Sequence, residues 1–180
     1  GKADLYRFAG PVNLVRLMAV PDKVDRPGLK FRPFPPGLPD ALKGERDLFE
    51  VMREQDVLLH HPYQSFKPVV GFIAQAARDP RVVAIKQTVY RTGTDSELMQ
   101  HLIHAAQSGK EVTVVLELLA RFDEEANIGW AKQLEEVGAH VVYGVVGHKT
   151  HAKLAMVVRR EADGLRRYVH LGTGNYHSRT

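Results

Sequence analysis

One stretch, residues 147–158, has the sequence Gly-His-Lys-Thr-His-Ala-Lys-Leu-Ala-Met-Val-Val and decides how the sheet of this protein is built. Its basic start runs into an apolar tail that is typical of a β-strand. Strand side chains alternate between faces, so we expect His151 and Lys153 on one face, about 6–7 Å apart at the usual rise per residue. An imidazole beside an ammonium is a candidate nucleophile with a phosphate-binding neighbour. Alone, the pair is weak evidence, because a histidine and a lysine at a strand end are usually surface residues.

Upstream of this stretch, predicted strands alternate with predicted helices. Apolar runs predict a short strand over residues 57–61 and three main strands over residues 81–90, 112–119 and 139–143. The run over 112–119 is nearly continuous, which favours burial on both faces. Caps and stop signals predict helices over residues 47–52, 66–78, 94–108 and 123–138. Such alternation indicates βαβ units with parallel strands.

The link from Tyr143 to His151 is too short to hold a helix, and this reverses the next strand. We therefore expect a strand over 151–158 that returns antiparallel to the three main strands. After a polar turn, a strand over 166–171 runs parallel to them again. The predicted fold class is α/β, with a mixed, mostly parallel sheet flanked by helices.

Prolines mark a boundary in the first quarter of the chain. Residues 27–39 hold five of the ten prolines. Proline lacks a backbone donor and fixes φ, so we expect an irregular linker there. We place the domain boundary near residue 40. Residues 1–40 are then the tail of a preceding domain with its linker, and residues 41–180 form the α/β domain.

Composition narrows the chemistry. The chain has 180 residues, of which 44% are hydrophobic and 26% charged, as in an ordinary globular protein. No run approaches the ~20 apolar residues that a membrane span needs. Cysteine is absent, which excludes disulfides and thiolate chemistry. The net charge of +4 and the pI of about 9.4 suit an anionic substrate.

The predicted topology brings basic and polar residues to one edge of the sheet. In open α/β sheets, ligands bind beyond the carboxyl ends of the parallel strands. Arg91, Arg121 and His151 are evenly spaced by about one β-plus-α unit, so they occupy equivalent edge positions. The residues that we expect at this edge are Arg91, Arg121, His148, Lys149, His151, Lys153 and Asn175. With a glycine-rich loop among them they make a site for phosphate groups, and the alternative is a basic edge that is merely solvated.

Other polar features have structural explanations. His101 and His104 lie at i, i+3 on a predicted helix and could ligate a metal, but no third ligand is evident. Trp130 is expected in the core. Four arginines flank the turn before the last strand, and we expect a solvated face there, with nucleic acid as the alternative partner. They are Arg159, Arg160, Arg166 and Arg167.

Four motifs together resemble bacterial polyphosphate kinases of the phospholipase-D-like type. They are His-Pro-Tyr-Gln-Ser-Phe (61–66), Lys-Gln-Thr-Val-Tyr-Arg (86–91), Glu-Leu-Leu-Ala-Arg-Phe-Asp-Glu-Glu-Ala-Asn-Ile (117–128) and Lys-Thr-His-Ala-Lys-Leu (149–154). Gly-Thr-Gly-Asn-Tyr (172–176) continues the match. The resemblance covers about residues 40–180 in order, and it implies a phospholipase-D-like α/β domain. It also implies that residues 1–40 end a preceding, largely helical domain.

This resemblance implies an enzyme that reversibly moves the γ-phosphate of ATP onto inorganic polyphosphate. It makes His151 the residue that becomes phosphorylated. It assigns Arg91 and Arg121 to a Mg²⁺ site, although a guanidinium has only donors and would reach the metal through phosphate oxygens or a backbone carbonyl. Lys153 and Asn175 match phosphate-site positions. We also expect a homo-oligomer of the full-length protein, in the cytoplasm or peripheral at the membrane, with no nucleic-acid partner.

Two alternatives stay open from the residues. The first is a phosphodiesterase or nuclease that uses the same histidine, although Val158 stands where the wider superfamily usually has Asp. The second is a non-catalytic module that binds polyanions. Because phospholipase-D-like sites combine two half-domains and this chain has one His-x-Lys motif, we expect these 180 residues to fold at least partly but not to catalyse processive synthesis.

Overall fold

A computed structural model describes residues 4–44, 46–118, 120 and 124–177. The chain divides into two compact units, Gly1–Pro35 and Pro36–Thr180, and the division falls inside the proline-rich segment. The first unit contains a 3-10 helix over Leu14–Ala19 and the four-residue helix α1 (Val20–Lys23). None of its described residues is buried.

The second unit is built on a five-stranded sheet in the order β3-β2-β1-β4-β5. Its strands are β1 (Val82–Val89), β2 (Glu111–Leu116), β3 (His140–Tyr143), β4 (Lys153–Glu161) and β5 (Gly164–Gly172). β1 and β3 both pair parallel with β2, whereas β4 pairs antiparallel with both β1 and β5. Four of these five strands therefore share one direction. This confirms the predicted mixed, mostly parallel sheet and the reversal that follows the short link after Tyr143.

Four helices complete this unit. They are α2 (Leu48–Glu54), α3 (Lys67–Arg78), α4 (Glu97–Gln107) and α5 (Glu124–Glu136). Asp47 caps α2, since its carboxylate accepts from the amides of Phe49 and Glu50 at 2.8 and 3.1 Å. The hydroxyl of Ser65 accepts from the amide of Lys67 at 3.1 Å, which fixes the start of α3. Among the described residues, no helix is long and apolar enough to cross a membrane.

The hydrophobic core lies on one face of the sheet. On that face Ile85 of β1, Val114 of β2 and Val157 of β4 are fully buried against Ile73 of α3 and Leu102 of α4. The helix residues recur at the spacing of an amphipathic helix, since α3 buries Val69, Phe72, Ile73, Ala76 and Ala77.

The opposite face of the sheet is mostly not buried. There Lys86, Met156 and Val169 follow one another across three strands, and none of them is buried. The prediction that the strand over 112–119 is buried on both faces is therefore wrong. In β2 the buried Val112, Val114 and Leu116 alternate with more exposed residues, because the described helices contribute to a core on one face only.

Residues 57–61 do not form the predicted strand. The amide of His60 donates to the side-chain oxygen of Gln64 at 2.8 Å, and the amide of Gln64 donates to the carbonyl of His60 at 2.8 Å. The hydrogen bonds of this local turn before α3 therefore occupy backbone groups that pairing with a neighbouring strand would require. In α4 the cap is Ser96 rather than Thr94, so the helix starts later than predicted.

β4 begins at Lys153, two residues later than predicted. The hydroxyl of Thr88 in β1 donates to the carbonyl of Ala152 at 2.6 Å and accepts from the amide of Leu154 at 3.0 Å. The Thr88 side chain thus bonds to the β4 backbone groups that would otherwise form the next backbone hydrogen bonds between β1 and β4. His151 therefore lies in the turn before the strand and is exposed, whereas Lys153 is buried, and strand alternation does not relate the two side chains.

Arg159 is not part of a solvated face, which corrects the prediction for that residue. It is 3% exposed, its Nε donates to Asp79 at 2.8 Å, and its Nη1 donates to Glu161. Asp79 lies 80 residues upstream, so local sequence gave no sign of the pairing. Arg160 and Arg167 are exposed as expected. Trp130 is buried in the core, as predicted.

Candidate functional site

The carboxyl ends of the parallel strands meet at one sheet edge through direct backbone bonds. The amide of Glu117, after β2, donates to the carbonyl of Val89 at the end of β1 at 2.9 Å. The amide of Gly144, after β3, donates to the carbonyl of Leu116 at 3.0 Å. β4 starts at this edge and β5 ends there, since Lys153 pairs with Gly172.

The ring of Tyr90 is the point on which the predicted residues converge. The His151 ring packs against it edge-on, with centroids 4.8 Å apart and planes at 83°. The guanidinium carbon of Arg91 lies 5.4 Å from the ring centroid, and Nζ of Lys153 lies 5.3 Å from it. The electron-rich ring lowers the cost of holding two cations close together. Arg91, His151 and Lys153 are therefore neighbours, as the topology predicts.

Lys153 is a buried cation in this group. Its side chain is 6% exposed, and its Nζ donates to the backbone carbonyl of His151 at 2.6 Å. Burial, and then the positive charge of Arg91, hold the pKa of the Lys153 ammonium below its ordinary value. An anion placed between Arg91 and Lys153 would relieve the repulsion between these cations.

Several buried polar atoms at this edge have no hydrogen-bond partner among the described residues. They are Arg91 Nε, Thr92 Oγ1, Asn127 Oδ1, Thr150 Oγ1 and Asn175 Oδ1. Buried polar atoms are nearly always hydrogen-bonded, so these atoms are expected to bind groups other than the described residues. Donors and acceptors are both present, which suits phosphate oxygens with associated hydroxyl or water groups.

The glycine-rich loop after β5 lies directly beside Lys153. A Cβ added to Gly172 would lie 3.6 Å from Cβ of Lys153 and 3.1 Å from Cε1 of His170. Nδ1 of His170 lies 2.9 Å from the hydroxyl oxygen of Tyr176, a hydrogen bond that ties this loop back to its own strand. The loop therefore brings Asn175 to the same edge as Lys153.

The remaining predicted residues are less tightly held. His148 and Lys149 are exposed in the turn before His151, where the amide of His148 donates to the carbonyl of Val145 at 3.0 Å. Within the described residues, no hydrogen bond or ion pair joins either side chain to the group around Tyr90. Arg121 lies outside the described residues.

A direct protein site for a metal does not appear in this part of the chain. The described ranges contain no group of three or more His, Cys, Asp or Glu side chains placed to hold an ion. Nε2 of His101 lies 3.5 Å from the carboxylate of Glu97 on the same helix, so this histidine has a structural neighbour. Arg91 cannot serve as a direct ligand, because a guanidinium offers only donors.

Three residues in the matching motifs were given no role from the sequence. Tyr90 precedes Arg91 and supplies the ring, Glu117 is a buried residue directly after the apolar run of β2, and Asn127 is a buried residue near the start of α5. Nδ2 of Asn127 donates to the carbonyls of Tyr90 and Glu117 at 3.0 and 2.9 Å. A glutamate directly after an apolar strand, at the ligand-binding edge, was the available signal.

Comparison with known proteins gives consistent matches. The sequence profile of the family described as "Polyphosphate kinase C-terminal domain 1" matches residues 47–180. The polyphosphate kinase of Burkholderia multivorans is 66% identical over 184 aligned residues, covering 100% of this chain and 27% of that protein. The polyphosphate kinase of Paraburkholderia phytofirmans is 65% identical, covering 98% of this chain and 26% of that protein.

The same relationship holds for a solved structure. The crystal structure of polyphosphate kinase from Porphyromonas gingivalis matches with a TM-score of 0.75 and 35% sequence identity, covering 99% of this chain and 30% of that one. The present chain therefore spans about a quarter of the length of the curated relatives it matches.

Proposed function

The chain belongs to the polyphosphate kinase family, and from that premise we propose that it carries the phosphorylated histidine of an ATP:polyphosphate phosphotransferase. In the full-length protein, the γ-phosphate of ATP would pass to His151 and then to the end of an inorganic polyphosphate chain, reversibly. The observation that carries this proposal is the grouping of His151, Arg91 and Lys153 around Tyr90, beside unpaired buried polar atoms.

The first half-reaction is a displacement at phosphorus. A neutral nitrogen of the His151 imidazole forms the bond to the γ-phosphorus, and the bond from that phosphorus to the bridging oxygen breaks, so ADP leaves with the electron pair. The imidazole is exposed, and its neutral form carries the nitrogen lone pair that the attack requires. In the second half-reaction, a terminal polyphosphate oxygen displaces the histidine from the phosphorus.

Arg91 and Lys153 would stabilise the charge that spreads over the phosphoryl oxygens. Such groups act most strongly where they are held in place before the reaction. Lys153 is held by its bond to the His151 carbonyl, and both cations are held against the Tyr90 ring. Asn175 is proposed to bind a phosphate oxygen through its amide. His148, Lys149 and Arg121 are proposed to bind phosphate groups of the nucleotide or of the polyphosphate chain.

The proposed Mg²⁺ would be bound by phosphate oxygens of the nucleotide rather than by side chains of the described residues. Arg91 has no lone pair to offer, and the described residues hold no carboxylate or histidine cluster for the ion. Mg²⁺ would neutralise phosphate charge when bound. We assign no step of the transfer to it. We also propose that the full-length protein is a homo-oligomer in the cytoplasm or peripheral at the membrane.

Two separate measurements on the full-length protein distinguish the kinase from the two alternative functions: transfer of labelled phosphate to the protein, and binding of polyphosphate. We expect His151→Ala to abolish incorporation of label from γ-³²P ATP while leaving polyphosphate binding within about threefold of wild type. His140→Ala, an exposed histidine at the opposite end of β3, is the matched control and should label normally. Hydrolysis of bis-p-nitrophenyl phosphate without ATP would favour the phosphodiesterase. Salt-sensitive binding of polyphosphate and DNA alike, with no label on any protein, would favour the polyanion module.

A further inference from the structure

The buried carboxylate of Glu117 holds the turn that presents His151. Glu117 is only 6% exposed, and its Oε2 accepts a hydrogen bond from the backbone amide of Thr150 at 2.9 Å. Thr150 is itself buried and directly precedes His151. This bond spans 33 residues of sequence, so it joins the end of β2 to the start of β4.

The backbone of Glu117 is fixed on both sides. Its amide donates to the carbonyl of Val89 at 2.9 Å, and its carbonyl accepts from Nδ2 of Asn127 at 2.9 Å. The same Nδ2 donates to the carbonyl of Tyr90 at 3.0 Å, and Asn127 is fully buried. The carboxylate is therefore attached to a rigid junction of β1, β2 and α5.

This junction fixes the backbone of two residues of the proposed site, His151 and Tyr90. Through Thr150 it fixes the backbone of His151, and through Asn127 it fixes the backbone of Tyr90, whose ring packs against the His151 imidazole. Without the bond from Thr150, the exposed turn would keep its local links, such as that from the His151 amide to the Lys149 carbonyl at 3.0 Å.

We propose that Glu117 is a positioning residue for the phosphorylation of His151: its carboxylate, by accepting from the Thr150 amide, holds the imidazole in place against Tyr90. This inference rests on the proposed function. It assigns to Glu117 a hydrogen-bonding role, because a negative charge in a basic site would by itself weaken phosphate binding. Small misplacements of a reacting group lower rates strongly, so the effect should fall on the rate rather than on substrate affinity.

The test uses two substitutions in the full-length protein. Glu117→Gln keeps an oxygen that can accept from the Thr150 amide, whereas Glu117→Met keeps the volume and removes the acceptor. Asp47→Ala is the matched control, since Asp47 also accepts backbone amides but caps α2, which packs near Arg159 at the other end of β4. Hydrogen exchange of a peptide covering residues 148–152 and the rate and KM of histidine labelling from γ-³²P ATP are measured for each.

In Glu117→Met we expect the Thr150 amide to exchange its hydrogen at least tenfold faster than in wild type. The rate of histidine labelling should fall at least tenfold, while the KM for ATP stays within threefold of wild type. Glu117→Gln and Asp47→Ala should stay within threefold in labelling rate, and the pH profile of Glu117→Gln should match wild type.

Three results would overturn the positioning role alone: wild-type labelling by Glu117→Met, loss in Glu117→Gln as large as in Glu117→Met, or a shifted pH profile in Glu117→Gln. If Glu117→Met does not fold, the labelling rate of Glu117→Gln decides, with a tenfold loss overturning the inference. No label on wild-type protein would overturn the proposed function and the positioning role together, whatever the exchange of Thr150 shows.

Discussion

Nζ of Lys153 donates a 2.6 Å hydrogen bond to the backbone carbonyl of His151 and lies 5.3 Å from the Tyr90 ring centroid. The cation proposed to bind phosphate is thus attached to the backbone of the residue proposed to attack it. Any movement of the turn before β4 moves both groups together. This hydrogen bond links the two residues although His151 lies outside the strand.

Replacing Lys153 should slow the phosphorylation of His151. We expect Lys153→Met to lower the rate of histidine labelling about 10²-fold, the scale for loss of one group that stabilises transition-state charge. The variant also loses the bond to the His151 carbonyl. Single-turnover labelling with γ-³²P ATP measures the effect, and Lys132→Met, an exposed lysine on α5, serves as the control. Equal rates for both variants would contradict a role for Lys153.

Lys153 should also set the pH above which the rate of histidine labelling falls. Because burial and the Arg91 charge lower the pKa of Lys153, its ammonium loses the proton at a lower pH than an ordinary lysine, and phosphate binding should weaken there. Lys153→Arg keeps its charge at high pH. We expect the labelling rate of Lys153→Arg to fall at a higher pH than that of wild type, and an unchanged alkaline limit would count against this assignment.

The Tyr90 ring, rather than its hydroxyl, is expected to matter. Tyr90→Phe keeps the ring near Arg91 and Lys153, so its KM for ATP should stay within about twofold of wild type. Tyr90→Leu loses both cation–π contacts, and we expect a three- to thirtyfold weaker interaction with ATP or polyphosphate, which corresponds to about 0.5–2 kcal/mol. Steady-state kinetics on both variants provide the comparison. A larger loss in Tyr90→Phe than in Tyr90→Leu would show that the hydroxyl carries the effect.

His170 should make the stability of this chain depend on pH. Burial, and then the charge of the nearby His61, lower the pKa of His170 to about 4 from an ordinary 6.5. The unfolded chain binds a proton at a higher pH than the folded one, so this contribution is complete above pH 6.5 and is lost as the pH falls towards 4. The loss is at most about 3 kcal/mol.

We expect His170→Gln, which can still bond to Tyr176, to lose less of its melting temperature between pH 7 and pH 5 than wild type does. Thermal unfolding at the two pH values measures this. His104→Gln, at an exposed position, is the control and should keep the wild-type dependence. An identical pH dependence in His170→Gln and wild type would exclude His170 as the cause.

The buried ion network at the far end of the sheet should govern stability and not catalysis. Arg159→Met removes the buried guanidinium that bonds to both Asp79 and Glu161, and we expect a loss of about 1–3 kcal/mol in the free energy of unfolding. The loss is limited because the more exposed Arg81 and Arg53 remain beside these carboxylates at 3.4 and 3.7 Å. Adding Asp79→Asn and Glu161→Gln should recover part of it. Urea unfolding tests both variants, and a loss below 1 kcal/mol for Arg159→Met would show that the network is not needed.

The sequence was sufficient for the topology and the edge of the sheet that bears the site. The alternation of apolar runs and caps predicted the parallel strands of the βαβ units, and the short link after Tyr143 predicted the reversal at β4. Together these brought Arg91, His151 and Lys153 to one place before any contact was known.

What the sequence did not show depends on side chains that meet from distant segments. The hydroxyl of Thr88 delays β4 by two residues, Asp79 buries Arg159, and Glu117 holds Thr150. Each of these is a polar side chain bonded to a group 33 to 80 residues away. No local propensity encodes such a pairing. The exposed face of the sheet likewise followed from where the helices pack and not from the strand sequences.

The most direct test of the account is to locate the phosphate on the full-length wild-type protein. After brief reaction with ATP, proteolysis at neutral to alkaline pH and mass spectrometry would preserve and map an acid-labile phosphohistidine. The account predicts that the phosphate sits on His151, in a peptide that loses it on mild acid treatment. Phosphate found on another histidine of this chain, with His151 unmodified, would contradict it.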